Sequence, residues 1–259
     1  MVFLDSNTRC SQNTRGWCVV LTTVELRNVW VYYGDKCVLR DISVRFSKGV
    51  HVVLGRNGAG KTTLLRAIAG LVDFKGEIIV LGKSIKKLRR KELARLVGYC
   101  WQNPYYGFIE ATVKDEINTI LESLGTQGDW EIVKLLVPES LINRDPFTLS
   151  GGEAKRVSVA SILVADQHVW LLDEPFTFLD KSGIEAVLKL VEYGRNRNKI
   201  IIVALHELFY ASLLKPDTYV LLDSGVLVSS GVWSNLSDDI LEKAGILPRS
   251  ALCTSLCSA

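Results

Sequence analysis

The sequence predicts an α/β fold organised around a phosphate-binding loop, and three observations carry that expectation. Gly55-Arg56-Asn57-Gly58-Ala59-Gly60-Lys61-Thr62-Thr63 fits the pattern G-x-x-x-x-G-K-[ST] in full. The loop sits between an apolar run, Val50 to Leu54, and a helix-patterned stretch, Lys61 to Leu71, with Leu64, Leu65, Ile68 and Leu71 on one face. Farther along, the apolar run Val169-Trp170-Leu171-Leu172 ends in Asp173 and Glu174, as a buried strand delivering acids to a site would.

Each part of the loop has a chemical task. Its glycines, Gly55, Gly58 and Gly60, let the backbone N–H groups of Asn57, Ala59 and Thr63 close around phosphates, and the helix N-terminus adds its positive end. Lys61 reaches the β- and γ-phosphates, and the Thr62 hydroxyl sits on Mg²⁺. Asp173 suits the second anchor for that ion. Glu174 suits a general base that polarises the attacking water.

Composition allows this and excludes other classes. The 259 residues suit one α/β domain with a small insertion, and 48% hydrophobic content supplies a sizeable core. A net charge of +3 points to neither nucleic acid nor an acidic partner. Cys10, Cys18, Cys37, Cys100, Cys253 and Cys257 are scattered without a CxxC pair, which fits reduced thiols in the cytosol; Cys253-x-x-x-Cys257 is a weak pair on a polar tail. No run approaches the ~20 apolar residues of a membrane span, and the N-terminus lacks the apolar core of a signal peptide.

Along the chain, residues 1–23 read as a polar, irregular tail. Val24 to Lys48 is β-patterned, with Ile42, Val44 and Phe46 alternating with polar residues, and Tyr32 to Lys36 forms a turn. Strands are expected over Glu77 to Leu81 and Leu96 to Trp101. Between them, Lys83 to Arg95 reads as a solvated basic helix face, with a phosphate-rich contact as the alternative. Residues 104–148 are helical, with a capping box at Thr112 to Asp115 opening Val113 to Leu124 and a second helix over Trp130 to Val137. Helix Asp180 to Arg195, strand Lys199 to Leu205 and a hairpin turning at Asp223-Ser224-Gly225 follow.

Leu149-Ser150-Gly151-Gly152-Glu153 precedes a helix running to about Ala165. Ser150 and Glu153 are spaced as a capping box, and the glycines permit close approach at the helix N-terminus. Read as an anion site, this gives one chain two half-sites for phosphate, and so implies head-to-tail pairing of two chains; an ordinary capped helix gives the same pattern.

From about Val24 to Gly231 the order of these motifs resembles the nucleotide-binding subunit of an ATP-binding cassette (ABC) transporter. It runs phosphate loop, Gln102 after a strand, LSGGE, LLDE, Leu179-Asp180, His206. The resemblance implies a P-loop NTPase fold. It would be an ABC ATPase cassette over residues 24–240, with an antiparallel β subdomain, a helical subdomain inserted at about 104–165, and a C-terminal tail from 241 to 259. It implies ATP and Mg²⁺ as cofactors, with Gln102 touching Mg²⁺ and sensing a membrane partner. Ser150 and Gly152, within Ser150 to Glu153, would contact the γ-phosphate bound to the opposite chain. Asp180 would cross the dimer interface, His206 would contact the γ-phosphate, and Tyr33 would stack on adenine. Phe178 stands where the family has a small residue, and Glu153-Ala154-Lys155-Arg156 shifts the usual basic pair by one.

Trp101-Gln102-Asn103-Pro104, with Thr112 to Ile117 and Asp145 to Thr148, is similar to energy-coupling-factor (ECF) type importers of vitamins or metal ions. The resemblance implies an ATP-hydrolysing subunit peripheral to the cytoplasmic face of the cell membrane. Its partners would be a second ATP-binding subunit and a transmembrane permease or coupling subunit, with no nucleic acid. The alternatives are a soluble ABC ATPase driving a cytosolic assembly, and a sensor that binds ATP without turnover. A single cassette favours transport, and intact Glu174 and His206 favour turnover.

Overall fold

A computed structural model describes residues 11–12, 18–19 and 22–246. The strands are β1 (Ser11–Gln12), β2 (Cys18–Val19), β3 (Val24–Tyr33), β4 (Lys36–Phe46), β5 (Gly49–Leu54), β6 (Lys75–Val80), β7 (Lys83–Ser84), β8 (Val97–Cys100), β9 (Val169–Asp173), β10 (Ile200–Leu205), β11 (Thr218–Asp223) and β12 (Val226–Val232). The α-helices are α1 (Lys61–Ile68), α2 (Arg90–Ala94), α3 (Val113–Leu124), α4 (Trp130–Leu136), α5 (Gly151–Leu163), α6 (Lys181–Asn196), α7 (Leu208–Leu213) and α8 (Asp238–Lys243).

Two larger sheets result. One has the order β12-β11-β5-β10-β9-β8, parallel except for the β11–β12 hairpin. The other is antiparallel, β4-β3-β6-β7. The parallel strands are buried on both faces, which is why their sequences are continuous apolar runs rather than alternating ones.

Alternation still decides where each side chain goes. In β9, Val169 and Leu171 join the core that β3, β4 and α1 share, while Trp170 and Leu172 join the core under the helical segment. In β10, Ile200, Ile202 and Ala204 take the first face and Ile201, Val203 and Leu205 the second. A period of two then puts Asp173 on the face of Leu171, toward α1 and the phosphate loop. β5 lies between β10 and β11 and delivers that loop at its C-terminal end.

Some expectations shift. α1 stops at Ile68, because Gly70 turns left-handed at φ 68°, so Leu71 lies beyond the helix and is 46% exposed. Lys83 to Arg95 is not one helix: a two-residue strand and a 3₁₀ turn precede α2, and only Ile85 and Leu93 of this stretch are buried. Its lysines and arginines remain at the surface apart from local ties, such as Lys86 Nζ to the carbonyl of Gly76 at 2.8 Å. The boundary expected at residue 240 falls inside α8, and Leu241, Ala244 and Ile246 pack into the core. Within the expected N-terminal tail, β1 and β2 form a short antiparallel ladder. The remainder of residues 1–21 and of the tail beyond 246, including the Cys253–Cys257 pair, lies outside the described residues.

Candidate functional site

The phosphate loop is shaped by close approaches. A Cβ on Gly60, which has φ 102°, would meet Leu39 Cδ2 at 2.7 Å; one on Gly55 would meet the carbonyl oxygen of Leu222 at 2.5 Å and Ala59 Cβ at 2.9 Å. The β11–β12 turn braces the loop, with Gly225 N donating to the carbonyl of Ala59 at 3.0 Å. α1 opens at Gly60 with no side-chain cap, which leaves its first N–H groups to a ligand.

Lys61 curls back over this loop. Its ammonium donates to the carbonyls of Gly55 (2.8 Å) and Arg56 (3.2 Å) and lies 3.7 Å from Glu174 Oε1. Burial lowers its pKa, against the pull of Glu174 and Asp173.

Asp173 is buried and held at both oxygens. Thr62 Oγ1 donates to Oδ1 at 3.1 Å, and the Tyr99 hydroxyl donates to Oδ2 at 3.0 Å. Burial raises the Asp173 pKa, and these two hydrogen bonds oppose it. Tyr99 is itself raised well above the ordinary tyrosine range, by burial first and the Asp173 charge second. Arg66 Nε donates to the Tyr99 oxygen at 3.4 Å.

Glu174 leaves β9 at φ 47°, a left-handed kink that frees its carboxylate from the strand direction. His206 follows β10, and its Nδ1 lies 2.9 Å from both Glu174 oxygens, while Nε2 is 3.3 Å from Glu207 Oε1. Adjacent parallel strands thus bring together two residues 32 positions apart.

A cavity of about 630 Å³ collects Asn57, Gly58, Gly60, Lys61, Thr62, Thr63, Gln102 and Glu174. Its remaining wall is Lys36, Cys37, Val38, Arg40 and Ser224, which sequence reasoning missed; only the turn formers around Lys36 and Ser224 gave a local signal. Tyr33 is not in this wall. It is 45% exposed at the end of the β3–β4 hairpin, paired in register with Lys36, which is. His206 lines a neighbouring cavity of about 550 Å³ that shares Asn57 with the first.

The oxygen donors fit Mg²⁺. Thr62 and Asp173 place a hydroxyl and a carboxylate together, and Gln102 adds an amide on the cavity wall. No cluster of three or more His, Cys, Asp or Glu occurs among the described residues, and Mg²⁺ takes few protein ligands besides water and phosphate oxygens.

Ser150, Gly151, Gly152 and Glu153 line a separate cavity of about 510 Å³ with Arg156, Phe178 and Asp180, sharing no residue with the first. The capping box is formed: Ser150 N donates to Glu153 Oε2 at 2.9 Å, and Glu153 N donates to Ser150 Oγ at 3.4 Å. A Cβ on Gly152 would come within 2.9 Å of the Phe178 carbonyl oxygen. Phe178 has φ 69° and is 64% exposed. Asp180 caps α6 by accepting from Gly183 N at 2.8 Å, which lowers its pKa, with Ser182 as the lesser contributor.

The basic pair after LSGGE splits in space. Arg156 lines the cavity at the LSGGE signature, whereas Lys155 is fully buried. Its Nζ donates to the carbonyls of Trp101 (2.8 Å), Gln102 (3.1 Å) and Asp173 (3.2 Å). Burial pushes its pKa down to about 8.

The family model described as ABC transporter matches residues 39–177. The energy-coupling factor transporter ATP-binding protein EcfA1 of Thermotoga maritima is 33% identical over 217 residues, covering 81% of this chain and 82% of that protein. Among solved structures, an ATP-binding subunit of an ABC transporter superposes with a TM-score of 0.74 at 22% identity, over 91% of this chain and all of that one. A dimeric ATP-binding cassette in a post-hydrolysis state, bound to ADP and Pi, superposes with a TM-score of 0.69 at 22% identity, over 81% of this chain and 98% of that one. The chain belongs to the ABC transporter family, as an ATP-binding subunit that hydrolyses ATP to power transport.

Proposed function

We propose that this chain is one of two ATPases that pair head to tail beneath a membrane coupling protein, in an importer of the energy-coupling-factor type that carries a vitamin or a metal ion. The observation that carries the pairing is the separation of the two cavities: the loop that cradles phosphate and the LSGGE helix share no lining residue. A second chain supplies the missing half of each site. The identity to EcfA1 supports the importer type, together with Gln102-Asn103-Pro104. No helix among the described residues is long and apolar enough to cross a membrane, so attachment to the cytoplasmic face runs through the partner.

The residues divide the work. Backbone N–H groups of the loop and the Lys61 ammonium would hold the β- and γ-phosphates, and Thr62, Asp173 and Gln102 would hold Mg²⁺. When bound, Mg²⁺ neutralises charge on those phosphates. Glu174 takes a proton from water as the water oxygen bonds to the γ-phosphorus; the bond from that phosphorus to the bridging oxygen breaks, and ADP leaves with the electron pair. His206 orients the Glu174 carboxylate through its Nδ1. Ser150 and Gly152 of the second chain would close over the γ-phosphate, and Tyr33, beside Lys36 at the end of the β3–β4 hairpin, would stack on the base.

Glu174→Gln keeps the side-chain shape and removes the base. Turnover should fall at least a hundredfold, and size-exclusion chromatography should show an ATP-dependent dimer. Wild-type turnover in this variant would remove Glu174 from the role. Pull-down from detergent-solubilised native membranes should bring a multi-span coupling protein and a second ATPase; soluble partners alone would overturn the placement at a transporter.

A further inference from the structure

Lys155 reaches backbone carbonyls of both the Gln102 segment and the end of β9 with one side chain. It sits one turn into α5, on the helix that begins with the LSGGE glycines. Its three hydrogen bonds all go to backbone carbonyls: two on consecutive residues, Trp101 and Gln102, and one on Asp173. The ammonium has three protons and all three are used. Burying a cation is unfavourable unless hydrogen bonds replace its water, and an apolar side chain of similar length would fill the same space without that desolvation. What the cation adds is a tie between three separate pieces of chain. Gln102 lines the nucleotide cavity, while Asp173 accepts from Thr62, which lines it too. The Trp101–Gln102 carbonyls have no strand partner beyond β8, which ends at Cys100.

We propose that Lys155 is a positioning residue that clamps the Gln102 segment to the Asp173 strand end, so that the signature helix sets the spacing of the oxygen donors for the metal–nucleotide complex. This rests on the reading of the cavity as the nucleotide site. A shift of α5, produced when the LSGGE end engages a second chain, is thereby passed to Gln102 and Asp173 together through one ammonium. Side-chain identity matters because only a donor at the end of a long stem reaches all three carbonyls.

The test uses the full-length protein with Lys155→Met, and Lys155→Gln in parallel, since the amide keeps two donors where Met keeps none. Two readouts are needed besides folding by circular dichroism. In the nucleotide-free protein, amide hydrogen exchange over residues 101–106 should quicken by about tenfold or more in the Met variant, with exchange over residues 55–63 unchanged. Fluorescent ATP analogue binding should keep its affinity in EDTA to within about twofold, while the Mg²⁺ concentration giving half the metal-dependent gain should rise about tenfold, as expected for a change in second-sphere support. Lys155→Gln should fall between Met and wild type. Should the Met variant not fold, the Gln variant carries the same two readouts, and an unchanged exchange rate and Mg²⁺ midpoint there overturn the clamp. Unchanged values in a folded Met variant do the same. A wild-type protein whose nucleotide binding ignores Mg²⁺ would overturn the site reading itself and the clamp with it.

Discussion

Tyr99→Phe removes one oxygen from the middle of the metal-facing network and nothing else. The ring stays packed edge-on against Trp101, with centroids 4.8 Å apart, so no cavity opens. What is lost is the hydroxyl that donates to Asp173 Oδ2 at 3.0 Å in a buried setting. A hydrogen bond to a charged acceptor contributes about 1.5–3 kcal/mol, and a buried oxygen left without a donor loses most of that. Removing the cost of burying the phenol oxygen offsets a little of it. The Arg66 contact at 3.4 Å is long and contributes less. The expected loss is therefore about 2 kcal/mol, or roughly 4–8 °C in Tm for a domain of this size. Urea denaturation of the nucleotide-free protein measures it directly, as a lower midpoint at unchanged slope. A loss under about 0.5 kcal/mol would mean that Asp173 Oδ2 finds another donor, and the reasoning about this network would be wrong.

Two further outcomes follow from the core. His51 is buried, with Nε2 2.7 Å from the Ser47 carbonyl and Nδ1 2.7 Å from Thr218 Oγ1; the carbonyl can only accept, so Nε2 carries the proton and Nδ1 accepts from the hydroxyl. Burial lowers its pKa below the ordinary 6.5, so the unfolded chain binds a proton that the folded one refuses as the pH falls through 6.5 toward the depressed folded value. Stability falls over that window, and His51→Asn should flatten the fall relative to wild type in urea midpoints across pH 7.5 to about 5.5; equal slopes in the two proteins would refute it. Gly194→Ala should lose about 1–3 kcal/mol by thermal melting, although alanine is ~1 kcal/mol the better helix former. The added methyl runs into the Trp170 ring and comes within 2.9 Å of Ile201 Cδ1, and overpacking outweighs propensity here; a raised Tm would show that the ring yields.

Much of this was legible because it is local. The apolar runs of β5, β9 and β10 announce strands buried on both faces, and the Asp223-Ser224-Gly225 turn announces its hairpin. Motif order indicated which acids and which histidine belong to one site, and β9 pairing with β10 explains how Glu174 and His206 meet. What stayed hidden depends on tertiary direction. Lys155 reads only as one of a basic pair shifted by one, because nothing local says that its face of α5 points at two carbonyls 53 and 54 residues away. Tyr99 reads as strand filler, because its hydroxyl matters only once β8 lies beside β9. The last buried residues, Leu241, Ala244 and Ile246, sit in a stretch too short and too polar to show a period.

The pairing of β5 has a consequence for synthesis of the chain. The strand that presents the phosphate loop ends at Leu54, yet both its neighbours come from the last quarter of the sequence: β10 begins at Ile200 and β11 at Thr218. At ~5–20 residues per second, the loop waits roughly ten seconds or more on the ribosome with its strand unpaired on both edges. Until then it cannot hold nucleotide in the geometry described above, and its run of exposed Val and Leu is a surface for wrong partners. Competence for ATP therefore arrives late and all at once, when the final strands slide in on either side, and a chain that terminates before them is left both inactive and sticky.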